Sequence, residues 1–135
     1  MNDQSPRLTR IRVRDCMHHG ILSCSPDDSL RDVAAVMAHH RVHAVLIADP
    51  PGGRPLGVVT DLDVAAAVAR GEEQASARES AGDGPHTVSA DAPVQTAARL
   101  MSEHGVSHLL VVGSATGYPA GVISTLDVAS VYAAR

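Results

Sequence analysis

Gly57-Val58-Val59-Thr60-Asp61-Leu62-Asp63-Val64-Ala65 returns 64 residues later as Gly121-Val122-Ile123-Ser124-Thr125-Leu126-Asp127-Val128-Ala129. Each stretch runs from an apolar segment into a hydroxyl residue followed three positions on by an acid, the pattern of a strand that ends in a capped helix start. Outward from this pair, residues 25–65 lie over residues 89–129 without a gap. The 15 identities in those 41 positions are Ser25, Asp27, Ala34, Met37, His40, Val42, Leu46, Gly53, Pro55, Gly57, Val58, Leu62, Asp63, Val64 and Ala65. The chain is one unit written twice, and two copies are too few for a solenoid, so they are expected to pack on each other.

Within each copy the pattern passes from strand to helix to two strands to helix. In the first, Ile21–Cys24 reads as a short strand and 25–29 as a turn ending in capping residues. The helix from Leu30 to His40 has Leu30, Val33, Ala34, Val36 and Met37 on one side. His43–Ala48 and Leu56–Val59 form a hairpin across the breakers Asp49-Pro50-Pro51-Gly52-Gly53-Arg54, and Thr60 or Asp61 caps a last helix through Arg70. The second copy repeats the order with a strand at His86–Val88, a helix at Val94–His104, strands at Ser107–Val112 and Ala120–Ile123, and a helix from Thr125 toward Arg135. The two final helices are apolar over much of their circumference and are expected to be buried, in the chain or against a partner. The expected division is an N-terminal extension at 1–11, a first repeat at 12–70, a polar linker at 71–84 and a second repeat at 85–135. The small residues Ala81-Gly82-Asp83-Gly84 replace the apolar Cys16-Met17 region, so the second entry reads as the looser one.

With 135 residues, 44% of them hydrophobic, the chain is long enough for one core. A net charge of −4 without a basic stripe argues against nucleic acid and anionic membrane as partners. The only aromatic residues of the Phe, Tyr and Trp class are Tyr118 and Tyr132, so a planar ligand would sit between aliphatic walls. Cys16 and Cys24 have no C-x-x-C spacing and fit free thiols in a reducing, cytoplasmic setting. No run has the apolar length of a membrane helix or a signal peptide.

The G-x-x-T/S-x-x-D motif supports two chemistries. As a capping box, Thr60 or Ser124 caps the helix and Asp63 or Asp127 reaches back to the cap N–H. As a ligand site, the same helix start offers N–H groups and a hydroxyl to phosphate, and the carboxylate can take both hydroxyls of a ribose.

At this point the chain resembles a tandem pair of CBS domains, a regulatory module. The resemblance rests on Val13-x-Asp15-x-Met17, Ser25-Pro26-Asp27-x-Ser29-Leu30, Met37, Val42, Val45-Leu46-Ile47 and Gly57-Val58-Val59-Thr60-Asp61-Leu62-Asp63. The second copy adds Asp91, Met101, Gly105-Val106-Ser107-His108-Leu109-Leu110-Val111-Val112 and Gly121-Val122-Ile123-Ser124-Thr125-Leu126-Asp127. It covers residues 12 to 134, with departures at Leu46 and Leu110, where the family often has Pro, and at Gly113, where an acid is common. The resemblance implies an α/β fold of two β-α-β-β-α repeats about a pseudo-two-fold axis. It implies ribose at Asp63 and Asp127 and phosphate or ribose at Thr60 and Ser124, with Asp61 and Thr125 beside them. It further implies that Leu22, Ser23, His43 and Ala44 complete the Asp127 site, and that Thr87, Ser107 and His108 complete the Asp63 site.

The expected function is therefore non-enzymatic: an adenosyl ligand such as AMP, ATP or S-adenosylmethionine, bound between the repeats, signals to a regulated protein or through a homodimer. No cofactor is required. The alternative is a structural or interaction module whose motifs serve only as caps. No nucleophile and base are paired in the sequence, so catalysis is not expected. The adjacent pairs His18-His19 and His39-His40 are not chelating spacings, so no metal is expected. His43 and His108 begin the middle strands, and if they flank phosphate, binding strengthens in mild acid.

Overall fold

Capping residues and breakers set most of the element boundaries. The computed structural model describes residues 5–50, 53–82 and 84–134. The order is α1 (Ser5–Arg10), α2 (Val13–Cys16), β1 (His18–His19), β2 (Ser23–Cys24), α3 (Leu30–His40), β3 (Ala44–Asp49), β4 (Arg54–Thr60), α4 (Asp61–Ala69), α5 (Ala77–Ala81), β5 (Thr87–Ser89), α6 (Val94–His104), β6 (His108–Val112), β7 (Pro119–Ser124) and α7 (Thr125–Ala133). Pro51 and Gly52 of the expected hairpin turn, Asp83 of the expected linker, the first four residues of the expected extension and Arg135 at the end of the last helix lie outside the described residues.

Helices α3 and α6 have the bounds that the sequence predicts. Ser29 accepts the Asp32 N–H at 3.0 Å to start α3, and Arg41 ends it in the left-handed conformation at φ 56°. Gly105 ends α6 in the same conformation at φ 64°. The first expected strand, Ile21–Cys24, is shorter than predicted and covers only Ser23–Cys24.

The chain forms two compact units that differ from a linear cut. One is Ile21–Pro85, and the other joins Met1–Gly20 to His86–Arg135. In the first unit β2 lies parallel to β3, and β3 lies antiparallel to β4. Val45, Ile47 and Val59 meet Val33 and Met37 of α3, Ala67 of α4 and Ala77 of α5 in one apolar core. The other unit has the sheet order β1-β7-β6-β5. Its core brings Val13 of α2 together with Val88, Val94, Ala97, Met101, Leu109, Val111 and Ile123.

The expected linker at 71–84 thus contains a helix, α5, that belongs to the core of the first repeat. Its start is fixed by a capping box of Ser76 and Glu79. It docks through Ala77 N–H to Asp28 O at 2.8 Å, Arg78 N–H to Pro26 O at 3.2 Å, and Ala75 O accepting the Leu30 N–H at 2.9 Å. Segment 12–20, expected within the first repeat, instead completes the second. There Val13 N–H donates to Ala92 O and Arg14 N–H to Ala90 O, both at 2.9 Å, while Ile11 O accepts the Val94 N–H at 2.8 Å. These are the same three bonds at the same 64-residue offset. Each repeat is therefore completed by the helix that precedes the other in sequence.

Glycine makes both dockings close. A Cβ at Gly57 would meet the Ala81 carbonyl, and one at Gly121 would meet the His18 carbonyl. The small residues at 77 and 81 are a fitted contact rather than a loose entry.

Of the burial expected for α4 and α7, in the chain or against a partner, the chain itself supplies only a part. Only Ala67 of α4 is buried, and no residue of α7 is. Val64 packs on one core, and Val128 and Val131 on the other. Leu62, Val68, Leu126 and Tyr132 instead stand 67–75% exposed. Among the described residues no helix is long and apolar enough to cross a membrane.

Candidate functional site

The motif sits where a buried strand turns into a helix. Val59 and Ile123 are fully buried and hold the ends of β4 and β7 in place. The next residues, Thr60 and Ser124, stay extended at ψ 166° and become N-caps of α4 and α7. In the first copy the Thr60 N–H donates to Asp63 Oδ2 at 2.8 Å and its hydroxyl donates to the same oxygen at 3.1 Å. The hydroxyl in turn accepts the Asp63 N–H at 3.3 Å. In the second copy the corresponding distances between Ser124 and Asp127 are 2.8, 3.1 and 3.2 Å. Both capping boxes are complete, as the structural interpretation of the motif requires.

The cap leaves part of each helix start unused. The Asp61 N–H donates to His43 O at 3.0 Å and the Thr125 N–H to Ser107 O at 2.9 Å. With the N–H groups of Asp63 and Asp127 taken by the cap, the Leu62 and Leu126 N–H groups are the first-turn donors without a protein partner among the described residues. Each carboxylate gives only Oδ2 to its cap, so Oδ1 stands outside it.

The flanking residues differ between copies. His43 Nδ1 meets Asp61 Oδ2 at 2.7 Å, both side chains being exposed. At the equivalent positions of the second copy stand Ser107 and Thr125, and Ser107 Oγ pairs instead with His108 Nδ1 at 2.9 Å. Leu22, Ser23, His43 and Ala44 share one unit with Thr60, Asp61 and Asp63; Thr87, Ser107 and His108 share the other with Ser124, Thr125 and Asp127. Leu22 and Ser23 border β3, where Leu22 O accepts the Leu46 N–H at 2.8 Å. His86, the counterpart of Leu22, does the same for the Leu110 N–H at 2.9 Å.

One residue at the motif was not anticipated from the sequence. His18 Nε2 lies 3.2 Å from Asp127 Oδ1. The only sequence signal was the position itself, 64 residues before Gly82.

Two concavities of about 510 and 390 Å3 open on the Ile21–Pro85 unit, the first lined by Arg70, Glu72 and Glu79 among others, the second by Leu30, Ala34, Val64 and Val68 among others. Neither includes a motif residue. Cys24 is buried and Cys16 half-buried. Burial pushes both thiols above the usual range, reinforced by Asp28 and Asp32 at Cys24 and by Asp127 and Asp15 at Cys16. Among the described residues no group of three or more His, Cys, Asp or Glu side chains is arranged to hold a metal ion.

Comparison with known proteins agrees with this geometry. The CBS domain model matches residues 13–70 and 82–134. The CBS domain protein PAE2072 from Pyrobaculum aerophilum, solved in complex with AMP, is 29% identical, with 92% of this chain and 100% of that chain covered and a TM-score of 0.76. Hypoxic Response Protein I, solved with two coordinated zinc ions, is 28% identical over 89% of this chain and 98% of that one, at a TM-score of 0.68. The CBS domain pair of protein MJ0100, solved with 5′-methylthioadenosine and S-adenosyl-L-methionine, shares the fold at a TM-score of 0.79 and 22% identity, covering 90% of this chain and 95% of that one. No curated protein matches the chain. Two family matches that together span most of the sequence, on two units each carrying the same capped motif, show that the chain belongs to the CBS domain family.

Proposed function

We propose that this chain is a non-enzymatic regulatory module that binds an adenosyl ligand of the AMP, ATP or S-adenosylmethionine type. The observation that carries this is the chemistry the cap leaves outside it at each helix start: a carboxylate Oδ1, met by His18 at Asp127 and by no ion pair at Asp63 among the described residues, and a first-turn N–H without a protein partner among the described residues. A ribose diol donates to such an oxygen, and a phosphate accepts from such an N–H. Asp63 and Asp127 take the ribose in this proposal, with Thr60, Asp61, Ser124 and Thr125 beside it. Leu22, Ser23, His43 and Ala44 face adenine for the Asp127 motif, and Thr87, Ser107 and His108 for the Asp63 motif. The AMP complex of the 29% identical Pyrobaculum protein supports the ligand class.

The same proposal assigns output to a homodimer or a regulated protein in the cytoplasm, meeting the exposed apolar side chains of α4 and α7, Leu62, Val68, Leu126 and Tyr132. The test is thermal unfolding with AMP, ATP and S-adenosylmethionine. A ligand at a hundred times its Kd stabilises by about 2.7 kcal/mol. No shift with any of the three at millimolar concentration would sink the proposal.

A second reading, caps without a ligand, is favoured by the completeness of both capping boxes in the protein alone. Asp63→Asn with Asp127→Asn separates the two. Asparagine still accepts the cap N–H but is a poorer partner for a diol, so the ligand reading predicts lost ligand stabilisation with the fold kept. The cap reading predicts that neither protein responds to ligand.

A further inference from the structure

The two carboxylates of the repeated motif are not in the same state. Asp127 uses Oδ2 on the Ser124 N–H and hydroxyl, and its Oδ1 is met by His18 Nε2 at 3.2 Å. Asp63 makes the same cap with Oδ2, yet no ion pair reaches it among the described residues. The difference comes from the residue that follows the exchanged helix. After α2 the chain continues into β1, which pairs antiparallel with β7, His18 opposite Val122 and His19 opposite Gly121. Gly20 N–H to Ala120 O at 2.8 Å fixes the far end. Only glycine at 121 admits this strand, because a Cβ there would run into the His18 carbonyl and come within 3.0 Å of Met17 Cε. After α5 the equivalent position is Gly82, at φ 72°, which carries no side chain and forms no strand.

We propose that His18 is a latch on Asp127 that makes the two motifs unequal binding sites, the Asp63 site filling first. This rests on the adenosyl-ligand reading above. A ribose diol needs a carboxylate oxygen to donate to. At Asp63 that oxygen lies outside the cap, whereas at Asp127 the diol must first displace the imidazole. His18 itself is 72% exposed, whereas Asp127 is only 13% exposed, so the latch is released into solvent and not into the core. With His18 itself in solvent the contact is weak, so the latch costs the Asp127 site about two- to fivefold in affinity, enough to order the sites without closing one.

The experiment is AMP titration of two single-site proteins, Asp63→Asn and Asp127→Asn, each with and without His18→Gly, which copies the residue at 82. The expected result is binding tightened about two- to fivefold by His18→Gly in the Asp63→Asn protein and unchanged in the Asp127→Asn protein. Equal effects in both, or none in the first while AMP still binds, overturn the latch. A ligand-free arm follows the ring nitrogen resonances of His18 by NMR. They are expected to move on Asp127→Asn, and a fixed signal overturns the contact itself. AMP binding to none of the proteins, with the His18 signal still responding, overturns the ligand reading and the site ordering together while leaving the contact in place.

Discussion

Val13 is the side chain on which the exchanged-helix arrangement turns. It is fully buried although α2 is only four residues long, and it packs among Val88, Val94, Ala97, Met101, Leu109, Val111 and Ile123. Val13→Ala removes two buried methyl groups, about 1.6 kcal/mol at about 0.8 kcal/mol each. The cavity left behind raises this to about 2–3 kcal/mol. With an unfolding entropy of about 2.1 cal/mol/K per residue, a loss of about 2.5 kcal/mol lowers the melting midpoint by roughly 9 °C for a chain of this length unfolding in one transition. Circular dichroism melts of Val13→Ala beside Ser102→Ala, an exposed serine on α6, provide the comparison. The exposed control is expected to move by less than about 0.5 kcal/mol. The reverse change at the equivalent position, Ala77→Val, overfills a site already closed around alanine and costs about 1–3 kcal/mol. A Val13→Ala midpoint within about 2 °C of wild type would mean that segment 12–20 is not part of the folded unit, and the arrangement would be refuted.

Two further outcomes are expected. Arg41 ends α3 at φ 56° where its counterpart is Gly105, so Arg41→Gly relieves a left-handed penalty and raises stability in urea by about 1 kcal/mol; an unchanged or lower midpoint counts against this. Because burial, then nearby acids, raise both thiols, the folded state binds those protons more tightly than the unfolded chain. Stability from this source is intact below the unfolded thiol range of about 8.5 and falls as pH climbs toward the folded range. Urea midpoints between pH 7.5 and 10 should therefore drop more steeply in wild type than in Cys16→Ala with Cys24→Ala, and equal slopes would contradict the account.

The parts legible in the sequence are those decided by neighbours in the chain. Ser29 caps the start of α3 and Gly105 ends α6, because capping and left-handed termination are local. The capping boxes at 60–63 and 124–127 were legible for the same reason. The short helix α5 was not, since Ala77–Ala81 is too brief for periodicity and docks through the fit of Ala81 against Gly57, a contact between distant parts of the chain. β1 was hidden likewise: two histidines show no strand alternation, and the strand exists because Gly121 lacks a side chain. The apolar surface of α4 and α7 left open whether the chain or a partner covers it, because composition cannot tell a core face from one turned outward. Leu62 and Leu126, equivalent by the repeat, are exposed in both copies.

Exchange of the short helices has a consequence for how a duplicated site can diverge. In each unit the helix preceding the other repeat ends beside the glycine that opens the capped motif, Met17 and His18 against Gly121 and Ala81 against Gly57. In the second unit the chain leaving that helix then brings His18 near Asp127. The motif itself is constrained twice, because Ser124 and Asp127, like Thr60 and Asp63, must also cap a helix whose loss would cost about 1 kcal/mol. Position 18 carries no such duty, whereas Gly82 ends α5 at φ 72°, a conformation a side chain would strain. His18 is exposed, so it can change at little cost to folding while altering what Asp127 offers a ligand. Tuning of the second motif is thus expected to lie upstream of the first repeat, in segment 12–20, and not in the 57–65 or 121–129 sequences that the duplication preserves.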